Sequence, residues 1–208
     1  MSHTIGSRQA QKQKTRQALM DAALALLAEQ GLSSLGLREV TRAVGVAPTA
    51  FYRHFPDMAG LGVALVGQAL DSLHAMVRGT LAGTGGSDER IDRTVDVIAR
   101  HVRAYPAHVR FVARERHGGV RPVRDAIAAQ LRRFSDEVAH QLAAQPVSAG
   151  WSEDDLRMLA GVYVDHMVMT ASAFLDATEE GRAAEERVAA VARRQLRLIT
   201  LGRRHWLD

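Results

Sequence analysis

The sequence predicts an all-α protein of about nine helices, in which a small N-terminal three-helix module precedes a larger helical domain. Three observations carry that prediction. Apolar residues recur at helical spacing in segment after segment, and none alternates with period two for long. Breaks bearing glycine and proline separate those segments. The hydrophobic fraction is 47%, ordinary for a globular chain, and 208 residues can enclose one sizeable core or two modest ones.

The elements follow in order. Residues 1–11 are polar without apolar periodicity and predict a flexible basic arm. A first helix is expected over 12–30, with Leu19, Ala23, Leu26 and Leu27 on its buried stripe and Gly31 ending it. Residues 34–58 then read as two short helices around a tight turn. Leu37, Val40 and Val44 give the first a buried face; Gly36 can be its N-cap, with Glu39 three residues on as the other half of a capping box. Gly45 follows, where a helix ends in a left-handed conformation that glycine adopts cheaply. Pro48 suits the first turn of the second helix, because its φ is already helical and its missing N–H costs nothing there. Phe51 and Phe55 point inward at i, i+4, while Thr49, Tyr52 and Arg53 face out. That pattern is a helix-turn-helix, whose second helix would lie in a DNA major groove.

Asp57 caps a longer helix to about residue 81, expected to connect the two parts, and 83–87 (GTGGS) is a loop. Helices resume at 88–104 and, after Tyr105 is biased away from helix by Pro106, at 106–117. Between breaks at 118–122 and 146–150 lies a long helix carrying Ile127, Leu131, Phe134, Val138 and Leu142. Ser152 and Asp155 form a capping box for a helix to about 177, and Gly181 separates the last, over 182–201. The expected organisation is thus an arm over 1–11, a helix-turn-helix domain over 12–56 and a second domain over 57–208.

The block LREVTRAVGVAPTAFYRHFPDMAGL, residues 37–61, resembles the DNA-binding signature of the TetR family of bacterial one-component repressors. The shared features are an aliphatic helix, a glycine-valine turn, an aromatic-Tyr-x-His-Phe run and a following helix opened by Asp57. Residues 12–16, 35–40, 47–55 and 114–118 are further similar to one branch, the repressors of unsaturated fatty acid synthesis and desaturase genes that respond to long-chain acyl-CoA. The resemblance implies double-stranded DNA with a palindromic operator as partner, a small apolar effector in the second domain, and a homodimer formed by the last two helices. A two-fold dimer multiplies the modest discrimination of one short recognition helix.

Within the helix-turn-helix, Thr49, Ala50 and Arg53 are best placed to meet base edges. Tyr52 and His54 occupy positions that grip phosphates in relatives; the other reading is that they pack on the first helix. Arg38 stands where some family members read a guanine. Arg8, Lys12, Lys14 and Arg16 reach the minor groove or the backbone, or form a solvated basic tail. Met58 replaces a lysine common in relatives, and Ala47 replaces an N-capping serine. Charge agrees with this placement. Residues 1–56 hold seven Lys or Arg against three acids, leaving +4, whereas the remaining 152 residues hold 20 of each sign. The whole formal charge therefore sits on the module expected to meet a polyanion.

The second domain offers softer signals. Residues 156–175 are apolar nearly all round, so more than one face must be covered. Met76, Phe111, Phe134, Val162, His166, Met167 and Phe174 are candidate effector-binding residues, since methionine and phenylalanine suit a flexible acyl chain; ordinary core packing is the competing role for each. Arg110, Arg114, Arg116, Arg121 and Arg124 stand against the single acid Glu115. They could meet coenzyme A phosphates, or 114–116 could form structural ion pairs.

No cysteine is present, so disulfides and thiolate chemistry are excluded. The nine histidines lack metal-ligand spacing, and no nucleophile elbow or phosphate loop occurs. No metal, cofactor or catalytic activity is expected. With no run of ~18 apolar residues and no signal peptide, the expectation is a soluble cytoplasmic protein without a membrane partner. Two rivals to an acyl-CoA-responsive repressor remain: a repressor sensing a drug or aromatic metabolite, and an effector-independent nucleoid-type DNA-binding protein.

Overall fold

The computed structural model describes residues 3–81 and 86–207, with side chains over 8–71 and 86–207. Among the described residues there are nine α-helices and no strand: α1 His3–Leu26, α2 Leu37–Val44, α3 Pro48–Phe51, α4 Met58–Leu81, α5 Ser87–Ala104, α6 Pro106–Glu115, α7 Arg121–Ala143, α8 Glu153–Glu180 and α9 Arg182–Arg204. A single 3-10 turn, Pro146–Ser148, occupies the last predicted break.

The chain divides into two compact units, though not at the expected place. The first comprises 1–68 together with 110–127, and the second 69–109 together with 128–208. Each of α4, α6 and α7 therefore begins in one unit and ends in the other.

In the first unit, α1 packs on α2 and α2 on α3 around Leu19, Ala23, Leu27, Val40, Phe51 and Phe55. The segment predicted as a flexible arm is helical from His3, because Arg, Gln, Lys and Ala favour helix without needing a buried face. Residues 8–14 are all exposed, as their polar pattern requires. The helix also stops earlier than residue 30: the amides of Ala28 and Glu29 bond back only three residues, to Ala25 and Leu26. Gly62 brings α4 close to this core. A Cβ there would lie 2.5 Å from Leu32 Cδ2 and 2.7 Å from Val123 Cγ2, both core residues.

The second unit is a helical bundle in which α5, α8 and α9 pack on one another. Its core runs through Ile91, Val95, Ile98, Phe134, Val138, Leu159, Val164, Met167, Phe174 and Leu196. The predicted cap on α8 is present: Ser152 Oγ accepts the Asp155 N–H at 3.0 Å and donates to Asp155 Oδ2 at 2.6 Å.

Candidate functional site

The turn between α2 and α3 is built by Gly45, at φ 75° and ψ 31°. Its N–H bonds the Arg42 carbonyl at 3.1 Å, and the next amide, of Val46, reaches back to Thr41 at 3.0 Å. This double closure satisfies the last carbonyls of α2 and fixes how the chain enters α3. Gly36 precedes α2 in extended conformation as expected, but the Glu39 half of the capping box is not formed. Glu39 instead accepts a hydrogen bond from Gln30 Nε2 at 3.1 Å. Asp57 does cap α4, its Oδ1 accepting the Gly60 N–H at 2.7 Å.

The α-helical part of the recognition element is only four residues long. After Phe51 the turns tighten, with Arg53 N–H on Ala50 O at 3.3 Å and His54 N–H on Phe51 O at 2.9 Å. Phe51 and Phe55 are buried, their ring centroids 5.5 Å apart, and anchor the element from beneath. Thr49, Tyr52, Arg53 and Arg38 are exposed, and Ala50 and His54 are half-buried. Thr49, Tyr52 and Arg53 are thus uncovered on the element that these phenylalanines hold down, and Arg38 is exposed on α2.

The basic residues of α1 divide into two groups. Arg8, Lys12 and Lys14 are exposed. Arg16, predicted with them, is turned inward: its guanidinium lies 4.4 Å from the centre of the Phe55 ring and donates to the His54 carbonyl at 3.3 Å. It braces α1 against the end of the recognition element, because an aromatic face and a carbonyl lie within its reach. His54 Nδ1 is buried without a hydrogen-bond partner. Burial first, then the charges of Lys12, Arg16 and Arg53, hold His54 below the usual 6.5. The neighbourhood is electropositive and suits an anion.

The arginine-rich stretch 110–124 runs from α6 into the start of α7. Arg114 donates through Nη1 to the carbonyls of Leu27 at 3.0 Å and Gln30 at 2.8 Å, and through Nη2 to Ala28 at 3.4 Å. These carbonyls at the end of α1 have no helical partner, and a cation at a helix C-terminus is favoured. Arg114 is therefore removed from the effector-binding set. Glu115, buried at 2% exposure, accepts the Leu32 N–H at 2.8 Å through Oε1, so it tethers the loop after α1 and forms no ion pair with Arg114. Gly118 lies against this carboxylate so closely that a Cβ would collide with Oε2. Arg124 donates to the Gly118 carbonyl at 2.5 Å. Arg110 is half-buried.

Met76 falls outside the residues whose side chains are described. Phe111 is buried in the first unit, while Phe134, Met167 and Phe174 are core residues of the second. Val162 is 42% exposed and so is corrected from pocket wall to surface. Its i+4 neighbour His166 is buried and hydrogen-bonds Gln195 Oε1 at 3.1 Å and Thr170 Oγ1 at 3.4 Å. Burial pushes His166 below its ordinary value, with the Gln195 hydrogen bond opposing. Met167 does line a half-open cavity of about 80 Å³ bordered by α5, α7, α8 and α9. That volume is about half of the ~150 Å³ that holds a benzene. Phe174 lines a larger groove of about 930 Å³, rimmed by Arg103, Glu185 and Arg193. Among the described residues no group of three or more His, Asp or Glu is placed to hold a metal.

On α8 and α9 a second apolar surface remains uncovered. Met158, Val162 and Met169 on α8 and Val191, Leu198 and Leu201 on α9 are all at least 40% exposed. A groove of about 310 Å³ runs between the two helices, lined by Met169, Ala173, Val188 and Val191 among others.

Residues 19–65 match the family model of the bacterial regulatory proteins, tetR family. Over 199 residues the chain is 33% identical to an uncharacterized HTH-type transcriptional regulator of Haemophilus influenzae, covering 95% of this chain and 94% of the relative. Among solved structures it is similar to FadR from Bacillus subtilis in complex with stearoyl-CoA, with a TM-score of 0.69, 14% identity and coverage of 88% and 96%. It is also similar to AibR in complex with isovaleryl coenzyme A and operator DNA, with a TM-score of 0.63, 17% identity and coverage of 86% and 95%. At those identities the two solved structures speak for the shared fold alone.

Proposed function

Because the chain belongs to the TetR family of bacterial transcriptional regulators, we propose that it is a homodimeric repressor of fatty acid genes that binds a palindromic operator and responds to long-chain acyl-CoA. The observation that carries the DNA reading is the uncovered polar side of the helix-turn-helix, set among basic residues and held from below by buried Phe51 and Phe55. In this reading Arg38, Thr49, Ala50 and Arg53 meet base edges, while Tyr52, His54, Arg8, Lys12 and Lys14 meet phosphates.

The dimer reading rests on the apolar face shared by α8 and α9, which a second copy would cover. The effector reading rests on a fold shared with regulators solved with stearoyl-CoA and isovaleryl-CoA, and on the soft core around Phe134, Met167 and Phe174. A long chain would have to enlarge the cavity beside Met167 or part that core. Such an effector changes DNA affinity only through unequal affinity for two arrangements of the recognition elements. Continuous helices α4, α6 and α7 are available to carry the change from one unit to the other. A cytoplasmic location follows from this role.

Selection of bound sequences from random DNA, with and without oleoyl-CoA, tests both parts. A palindrome whose enrichment changes with oleoyl-CoA is the expected result. The absence of any palindrome would remove the operator reading; a palindrome indifferent to oleoyl-CoA would remove only the effector.

A further inference from the structure

The cavity of about 80 Å³ in the second unit has a cationic wall that DNA binding does not use. Arg203, in the last turn of α9, is only 6% exposed. Its Nη1 donates to Gln145 Oε1 at 2.9 Å, and its Nη2 donates to the Leu142 carbonyl at 3.2 Å and to Ser148 Oγ. All three acceptors are neutral. Its Nε is buried with no hydrogen-bond partner. An ionised group this deeply buried ordinarily sits opposite a countercharge, because its desolvation is otherwise uncompensated. A second cation, Arg90, lines the same cavity, and among the described residues it forms no ion pair.

No carboxylate is found among the described residues lining this space. The two acids beside Arg90 are engaged elsewhere, Asp88 with Arg197 at 3.4 Å and Glu89 with Arg93 at 2.6 Å. Tyr163 Oη and Thr200 Oγ1 lie 3.3 Å apart on the cavity wall, and Thr200 Oγ1 donates to the Leu196 carbonyl at 2.8 Å. The first turn of α5 also reaches it, and Gly86, its N-cap, offers no side-chain acceptor to the free amides there. Met167 and Leu196 supply an apolar side. Burial first, and the neighbouring Arg90 charge with it, push the Arg203 guanidinium below its ordinary value, opposed by Tyr163. An anion between the two guanidiniums would relieve both effects.

We propose that this cavity is a binding site for a short-chain carboxylate, with Arg203 and Arg90 receiving the carboxylate oxygens and Met167 and Leu196 covering two or three carbons. The guanidinium of Arg90 and the unpartnered Nε of Arg203 match a carboxylate in charge, and the small volume favours a short chain. The site does not require acyl-CoA to be the effector; a long chain that enlarged this cavity would displace the carboxylate. It couples occupancy to the packing of α9 against the end of α7, because Arg203 also holds the Leu142 carbonyl and the Gln145 side chain.

The test is thermal unfolding of the full-length dimer in sodium propionate against sodium chloride at equal ionic strength, with ¹³C-propionate NMR to count sites. One saturable site per chain is expected, and at ten times the dissociation constant the midpoint should rise by roughly 3–6 °C. Arg90→Gln leaves the α7 contacts of Arg203 intact, so it should fold and weaken propionate binding at least tenfold. Octanoate should bind far more weakly than propionate. An equal response to chloride, a response unchanged in Arg90→Gln, or octanoate binding as tight as propionate would each overturn the site; the first two would indicate an adventitious ion only.

Discussion

At the scale of single residues, the side chains that mattered most were those whose partners lie far away in sequence. Glu115 and Leu32 are 83 residues apart, so no local pattern could announce that the carboxylate binds that amide. The run 114–118 was visible as a charged, glycine-ended motif, but its reach to the end of α1 was not. Removing the acceptor leaves a buried N–H unsatisfied, and Glu115→Ala should lower stability by about 1–3 kcal/mol, read as a shift in the urea midpoint at unchanged slope. Glycines at 118 and 62 share that logic of close approach and not of turn geometry.

His54 gives a second prediction at this scale. Its value is depressed below 6.5 in the free protein, first by burial and then by Lys12, Arg16 and Arg53. As for any depressed group, its contribution to folding stability is present above 6.5 and lost as pH falls toward the folded value. Phosphates beside it would raise its affinity for a proton, so DNA binding should take one up. Operator affinity is then expected to increase as pH drops from about 7.5 to 6, beyond any change shared by the variant His54→Gln. A pH profile equally steep in that variant would exclude His54 from the phosphate contacts.

At the scale of elements, nearly everything periodic was legible. The left-handed Gly45, the Ser152 cap and the Asp57 cap all stand where the residue types put them, since each depends on atoms within four positions. Two misplacements have the same origin. The start of α1 has good helix formers but no apolar stripe to mark it as a helix. The Glu39 capping box failed because Gln30, nine residues earlier, competes for the carboxylate. The recognition element should show a division of labour. Arg53→Ala should relax base preference at one position by roughly 1–3 kcal/mol, whereas Lys12→Ala should weaken all sequences alike and reduce the salt slope by about 1. Competition binding on single-base operator variants at several salt concentrations separates the two.

At the scale of the whole molecule, the two-part organisation was readable but its boundary was not. Composition and charge divide the chain near residue 56, while packing assigns 110–127 to the first unit because Phe111, Val112, Val123 and Ile127 are buried there. Such an assignment depends on long-range contacts that a single sequence does not display. Surface chemistry completes the picture in the second unit. Val162, mistaken for a pocket wall, belongs with Met169 and Val191 to the uncovered apolar face of α8 and α9. Val162→Glu combined with Val191→Glu should leave the fold intact, because both positions are exposed, yet yield monomers in sedimentation equilibrium. Specific DNA affinity should fall at least a hundredfold, since two linked half-sites become one.

The return of residues 110–127 to the N-terminal unit also bears on how such proteins can be recombined. Grafting the first 56 residues onto another sensor would separate Leu32 from Glu115 and the end of α1 from Arg114. A working hybrid must carry two stretches of sequence, 1–68 and 110–127, as one inheritance. Mutational drift in the second stretch is then constrained by the operator-reading half of the molecule, even though no residue in it is expected to touch DNA.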